Sequence, residues 1–183
     1  CGFNITCVGD DRAYSYLSSR RENTLADRIV QHVLNQIDTS FRRYKYLARG
    51  SDERQYCAPG VDLPLCSFMR SKYGEYPEYH TSEDNMNFIS PDGLGGSYNA
   101  ILKFIEVLEG NGILLSNVIC EPQLGKRGLY NTLGGQSDNQ KGQMITDLLA
   151  YTDGTNDLLT IAEKIGVSFS TLRELTEELI VLG

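Results

Sequence analysis

The run TLADRIVQHVLNQI sets Leu25, Ile29, Val33 and Ile37 at helical spacing, behind Asn23 or Thr24 as the N-cap. Short apolar, β-branched runs flank it. GFNITCV precedes it and stops at the turn Gly9-Asp10-Asp11. YKYLARG and LPLCSFMR follow it, separated by the turn Cys57-Ala58-Pro59-Gly60. Strand, helix, strand, loop, strand is the order of an α/β fold, a sheet flanked by helices. SYNAILKFIEVLEG then predicts an amphipathic helix with Tyr98, Ile101, Leu102, Ile105 and Leu108 on its apolar face, ended by Gly110.

Between Gly110 and Gln140 the chain turns Gly-rich and irregular. The 183 residues therefore divide into an α/β domain over 1–112, a linker over 113–140 holding one short strand, and a small all-α domain over 141–183. In that last part, LLTIAEKIG and SFSTLRELTEELIVLG meet around Gly166-Val167 as a helix-turn-helix, part of a winged helix. Its second helix sets Arg173 against Glu174, Glu177 and Glu178, an acidic face that repels phosphate. A formal charge of -7, with no basic cluster larger than Arg20-Arg21 or Arg42-Arg43, argues the same way. Nucleic acid is excluded as a partner, and protein contact or self-association through the C-terminal helices is expected.

No apolar run approaches the roughly 20 residues that span a bilayer, so no membrane association is expected. Five cysteines, an odd number without a C-x-x-C pair, do not form a disulfide framework or a metal knuckle. Cys7, Cys66 and Cys120 lie in apolar runs and read as buried small hydrophobes of a reducing, cytoplasmic protein. The chain enters a strand directly at Cys1, which suggests the C-terminal part of a longer polypeptide.

Of the two histidines, His32 belongs to a polar helix surface, whereas His80 sits in YGEYPEYHTSEDN after an apolar strand. Loops at strand ends carry binding groups in α/β proteins. Two other such loops carry acids, Asp10-Asp11 and Ser51-Asp52-Glu53, and parallel neighbouring strands would bring all three together. Imidazole with carboxylates suits Zn²⁺, whose bound water becomes a nucleophile near neutral pH. A surface cluster without metal fits the spacing equally, Asp10 also reads as a turn cap, and Tyr73, Tyr76 and Tyr79 also read as packing.

The stretch GSDERQYCAPGVDLPLCSFMRSKYGEYPEYHTSEDN resembles the co-catalytic zinc aminopeptidases, with their Ser-Asp-His loop, apolar strand and Tyr-rich segment ending in His-Thr-Ser. CVGDD, SDERQYC, YGEYPEYHTS, CEPQLGKRGLY and a C-terminal winged helix, in that order, resemble a bacterial subgroup of aminopeptidase-like proteins associated with polysaccharide biosynthesis. The resemblance covers the whole chain. It implies the C-terminal half of a three-layer α/β sandwich. It also implies a pair of zinc ions and hydrolysis of a small peptide or amide.

By that resemblance His80 is the last histidine ligand. Asp10 is the aspartate ligand of the other metal, with Asp11 the alternative one residue along. Ser51 and Asp52 would lie near substrate, and Tyr79 and Thr81-Ser82 would orient the imidazole. Glu53 departs from the pattern, standing where many relatives have His. The remaining ligands and the Glu general base belong upstream of this chain, so no catalytic residue is expected within it and the chain by itself is expected to be inactive. The rival expectation is a binding or scaffold protein on a degenerate peptidase fold.

Overall fold

The structure, a computed structural model, describes residues 1–127, 129 and 136–182. Gly128 and Tyr130 of the CEPQLGKRGLY motif lie outside the described residues. The chain forms two compact units, Cys1–Glu106 and Val107–Gly183.

The first unit is built on β1 (Gly2–Ile5), β2 (Ser15–Leu17), α1 (Leu25–Ile37), β3 (Arg42–Tyr44), α2 (Glu53–Tyr56), β4 (Leu65–Met69) and α3 (Pro91–Gly110), which runs on beyond the unit. Its four strands lie in the order β1-β4-β2-β3. β1 and β4 are parallel with Phe3 opposite Cys66, β2 and β3 are parallel, and β2 meets β4 antiparallel with Tyr16 opposite Phe68. The first and third expected strands are thus parallel neighbours. The second, YKYLARG, is a strand only to Tyr44 and then tightens into a 3-10 turn at Tyr46–Ala48. β2 went unanticipated because its three residues, all buried, lie between polar turns.

Strand alternation separates the sheet's two faces. Phe3, Phe68 and Tyr16 share one face, where Phe104 of α3 lies edge-on to Phe68 at 5.1 Å and 5.6 Å from Phe3. Asn4, Ser67, Leu17 and Met69 share the other, where Leu17 and Met69 pack with Tyr73. α1 starts where its sequence puts it: Thr24 accepts from the Asp27 N–H and Asp27 accepts from the Thr24 N–H at 2.8 Å, a capping box.

α3 turns its expected face the other way. Tyr98 is 62% exposed, Leu102 46% and Ile105 45%, while Ser97, Ala100 and Phe104 are buried. Gly93 abuts the Gly9-Asp10 backbone, Ser97 donates to the Val8 carbonyl at 2.8 Å and Phe104 packs on Phe3 and Phe68, so bulk alone misassigns the face.

The second unit pairs β5 (Ile113–Leu115) antiparallel with β6 (Asp153–Asp157) and adds α4 (Gln136–Leu149), α5 (Leu158–Ile165) and α6 (Phe169–Leu182). The strand expected within a linker is β5, part of this unit's sheet. Asp157 caps α5 through the Thr160 N–H at 2.7 Å, and Gly166 ends it at φ +73°, where a Cβ is disfavoured. Ile145, Leu148, Leu159, Ile161, Phe169 and Leu172 form the core. Cys120 is exposed, against expectation, because it follows β5 in a turn rather than a strand. No helix among the described residues is long and apolar enough to cross a membrane.

Candidate functional site

Because β1 and β4 run parallel, both release the chain at the same edge of the sheet, where crevices form in α/β folds. There the loops after β1, after the Tyr46–Ala48 turn and after β4 enclose a cavity of about 400 Å³. Asp10, Ser51, Tyr79 and His80 all line it, together with Cys7, Tyr73, Tyr76, Asp84 and Phe88. Asp11, Asp52, Glu53 and Thr81 do not.

Asp10 is 2% exposed and heavily engaged. Its Oδ1 accepts from the Arg12 N–H at 3.0 Å and the Ser71 hydroxyl at 2.8 Å, and its Oδ2 from the Ser71 N–H at 3.0 Å. The carboxylate thus sews the end of β1 to the end of β4. Asp11 points elsewhere, accepting from the Ser90 hydroxyl, which in turn accepts from the Gly93 N–H at the start of α3.

Gly93 itself presses on the Asp10 loop. A Cβ there would collide with the Gly9 carbonyl oxygen and lie 2.6 Å from the Asp10 carbonyl. Backbone on both sides leaves nothing flexible to yield. Gly93→Ala is therefore expected to lose about 2 kcal/mol by overpacking, measured by urea unfolding, and to displace the Asp10 amide resonance.

His80 is exposed and adopts φ +58°, and Cys7, which also lines the cavity, adopts φ +48°. Each left-handed non-glycine residue stores roughly 1–2 kcal/mol of backbone strain, which packed surroundings must hold in place. The His80 ring stacks on Tyr79 at 4.0 Å and 16°. Among the described residues nothing hydrogen-bonds its nitrogens, so stacking alone orients them. Tyr76 reaches Cys7 Sγ at 3.6 Å and Asp84 at 3.3 Å. Burial, with Cys7 and Asp84 behind it, pushes the Tyr76 hydroxyl far above its ordinary value.

Ser51 is positioned from behind by Glu53, which is fully buried and accepts five hydrogen bonds. The Gly50 and Ser51 N–H groups donate to Oε1 at 2.7 and 2.9 Å, and the Tyr73 hydroxyl joins them at 2.7 Å. Asn4 and Ser67 donate to Oε2 at 2.9 and 3.0 Å. Glu53 thus braces the cavity wall and is not exposed to a ligand. Thr81 makes a local turn, donating to the Glu78 carbonyl at 2.8 Å, and Asp52 begins α2 with its side chain exposed. Residue-type reasoning passed over Asn4 and Ser67, for which a polar residue inside an apolar strand run was the available signal, and it weighed Tyr73 only as packing or substrate recognition, not as a donor to Glu53.

The donor types suit zinc, but their number falls short. Among the described residues no three of His, Cys, Asp and Glu lie close enough together to hold a metal ion. Asp10 has three of its lone-pair directions already taken. A zinc pair could be held here only with ligands from outside this chain.

Residues 1–111 match a family described as a domain of unknown function, DUF4910, and residues 100–183 match a winged helix-turn-helix family. A Clostridium acetobutylicum protein, provisionally named a polysaccharide biosynthesis protein with an aminopeptidase-like domain, is 40% identical over 174 residues. That alignment takes in 94% of this chain and 40% of the relative. A crystal structure from the same species, provisionally named a peptidase, superposes with a TM-score of 0.85 at 35% identity over 98% of this chain and 40% of its own. The chain thus spans about 40% of the length of these relatives. With its mixed sheet, its peptidase-like structural neighbour and its C-terminal winged helix, the chain belongs to the DUF4910 family.

Proposed function

We propose that the chain contributes one wall of the active site of a zinc-dependent, aminopeptidase-like hydrolase acting on a small peptide or amide. The observation that carries this reading is the convergence of Asp10, Ser51 and His80, from three separate loops, on a single cavity. The relatives' peptidase names support the reaction class. His80 and Asp10 would be the metal-holding residues, with the remaining ligands and the general base on a longer polypeptide. Zinc, when bound, would supply Lewis acidity and an acidified water. This chain's own residues present one free imidazole, hold Asp10 rigid through Ser71, and wall the site with tyrosines.

The five unpaired cysteines favour a reducing, cytoplasmic setting. Exposed Ile180 and Val181 favour a protein contact or self-association through the C-terminal helices.

The test uses a parent of the relatives' length. It should contain two zinc ions and hydrolyse an aminoacyl amide. His80→Ala should lower turnover by more than the about 100-fold typical of an outer-shell change and remove bound zinc. A metal-free, inactive parent on which His80→Ala changes nothing would leave the binding or scaffold reading in its place. The 183-residue chain alone should give no turnover with added zinc.

A further inference from the structure

The two loops that carry Asp10 and His80 are tied by a contact that the resemblance does not mention. Arg12 acts on both. Its backbone N–H donates to Asp10 at 3.0 Å, and its guanidinium grips Glu78 in a two-pronged ion pair, Nη1–Oε2 at 3.0 Å and Nη2–Oε1 at 2.6 Å. Paired N–H donors on a carboxylate fix direction as well as distance. Arg12 and Glu78 are 66 residues apart in sequence, yet each is two residues from a candidate ligand.

The contact continues to the imidazole. The Arg12 guanidinium lies 4.5 Å over the Phe88 ring, and Phe88 stacks on Tyr76 at 5.1 Å. Tyr76 meets Tyr79 edge-on at 5.4 Å, and Tyr79 carries His80 at 4.0 Å. No hydrogen bond among the described residues holds the His80 ring, and its backbone is left-handed. Its place therefore depends on where the Tyr-rich segment sits. Arg12 holds that segment at two points, Glu78 and Phe88, beside the contact of Tyr76 with Cys7 and the packing of Tyr79 against Leu17, Met69 and Tyr73.

We propose that Arg12 and Glu78 form a latch that holds the His80 loop against the Asp10 loop, making Arg12 a positioning residue for the cavity. The proposal rests on the hydrolase reading only for what the cavity does; the latch stands on geometry alone. The pair lies at the surface, so its removal should leave the global fold in place, as most exposed ion pairs do.

The chain's two histidines make the test direct, because His32 on α1, whose ring meets the Gln36 side chain at 2.7 Å, serves as an internal control. The measurement is the imidazole proton spectrum of the whole chain at one fixed pH. Arg12→Gln and Glu78→Gln should each move the His80 ring protons from their Tyr79-shifted positions toward free imidazole and leave those of His32 in place. The charge swap, Arg12→Glu with Glu78→Arg, should restore them. High salt should shift wild-type His80 in the same direction as the single variants, since it screens exposed charges.

Unmoved His80 signals in both single variants would overturn the latch, and so would equal movement of both histidines. Zinc titration of the parent separates the two readings. If both hold, the single variants bind zinc about tenfold more weakly. If His80 responds to the variants while the wild-type parent takes up no zinc, the latch stands and the zinc reading falls.

Discussion

Replacing Glu53 by Ala is expected to destabilise the first unit by about 4 kcal/mol. The carboxylate is fully buried and serves five donors at once. Its removal leaves the Ser51 N–H and the Tyr73 and Ser67 hydroxyls without an acceptor, while the Gly50 N–H keeps the Tyr73 oxygen at 2.8 Å and the Asn4 amide keeps the Ser67 oxygen at 3.2 Å. Each stranded buried donor loses about 1–3 kcal/mol, less whatever a water admitted to the space restores. A domain's whole stability is about 5–15 kcal/mol, so the variant should unfold at far lower urea. Glu53→Gln keeps the volume but sets an NH₂ against existing donors, and should lose about half as much.

Acidity gives a second reading of the same group. Burial pushes the Glu53 carboxyl up, but hydrogen bonds from the Ser51 N–H, the Tyr73 hydroxyl and the Gly50 N–H outweigh burial and hold it below its ordinary 4.5. A folded-state value below the unfolded one means the contribution is complete above pH 4.5 and lost as pH falls through the depressed value. The stability gap between wild type and Glu53→Gln should therefore be constant above about pH 5 and narrow below it. A gap that is flat down to pH 3 would mean that the five donors do not favour the ionised form.

How much of this was legible depended on whether a residue acts through its neighbours in sequence or across the sheet. α1 announced itself, since Thr24, Asp27 and the apolar spacing are local signals. β1 and β4 did too, and their parallel pairing makes the loop after each meet at one edge. That is why Asp10 and His80 could be brought together from sequence; Ser51 follows β3, which runs against β1 and β4 and is no parallel neighbour of either, and it reaches the cavity only after the Tyr46–Ala48 turn. β2 could not be seen, because three residues carry no periodicity, and the identity of its partners is a long-range fact. The outward face of α3 was misread for a related reason: Tyr98, Leu102 and Ile105 are bulkier than Gly93, Ser97 and Ala100, but it is Gly93 that abuts the Gly9-Asp10 backbone and Ser97 that donates to the Val8 carbonyl.

Glu53 shows the limit of reasoning by residue type within the candidate site. A carboxylate in a Ser-Asp-Glu loop reads as a group for ligands, yet Asn4 and Ser67, on two neighbouring strands, draw it inward. The left-handed backbone at Cys7 was equally invisible, because cysteine does not favour it, and the enrichment of histidine in that region is too weak a signal to single out His80. Strain of that kind is imposed by the surrounding fold.

Asp27→Ala is expected to be the other severe variant, at about 4 kcal/mol, and its effect should be separable into parts. Asp27 is fully buried and accepts from the Tyr16 hydroxyl at 2.6 Å, the Ser19 N–H at 2.7 Å and the Thr24 N–H at 2.8 Å. Its carboxylate also takes the Ser19 and Thr24 hydroxyls. One aspartate thereby closes the amino end of α1, fixes the turn after β2 and ties both to the sheet. The cap accounts for about 1 kcal/mol, which Thr24→Ala should report by itself. The Tyr16 bond runs across from sheet to helix, and burial together with Asp27 drives that hydroxyl far above its ordinary value.

Tyr16→Phe removes the same bond from the other end, so the two losses should not add. In a double-mutant cycle the pair Asp27→Ala with Tyr16→Phe should fall short of the sum by about 1 kcal/mol or more. Strict additivity would mean that Tyr16 is held by its packing between sheet and helix, and that Asp27 acts on the turn and the cap alone. The cavity at the far edge of the sheet takes no part in this network, so the imidazole signals of His80 should stay in place in every folded member of the cycle.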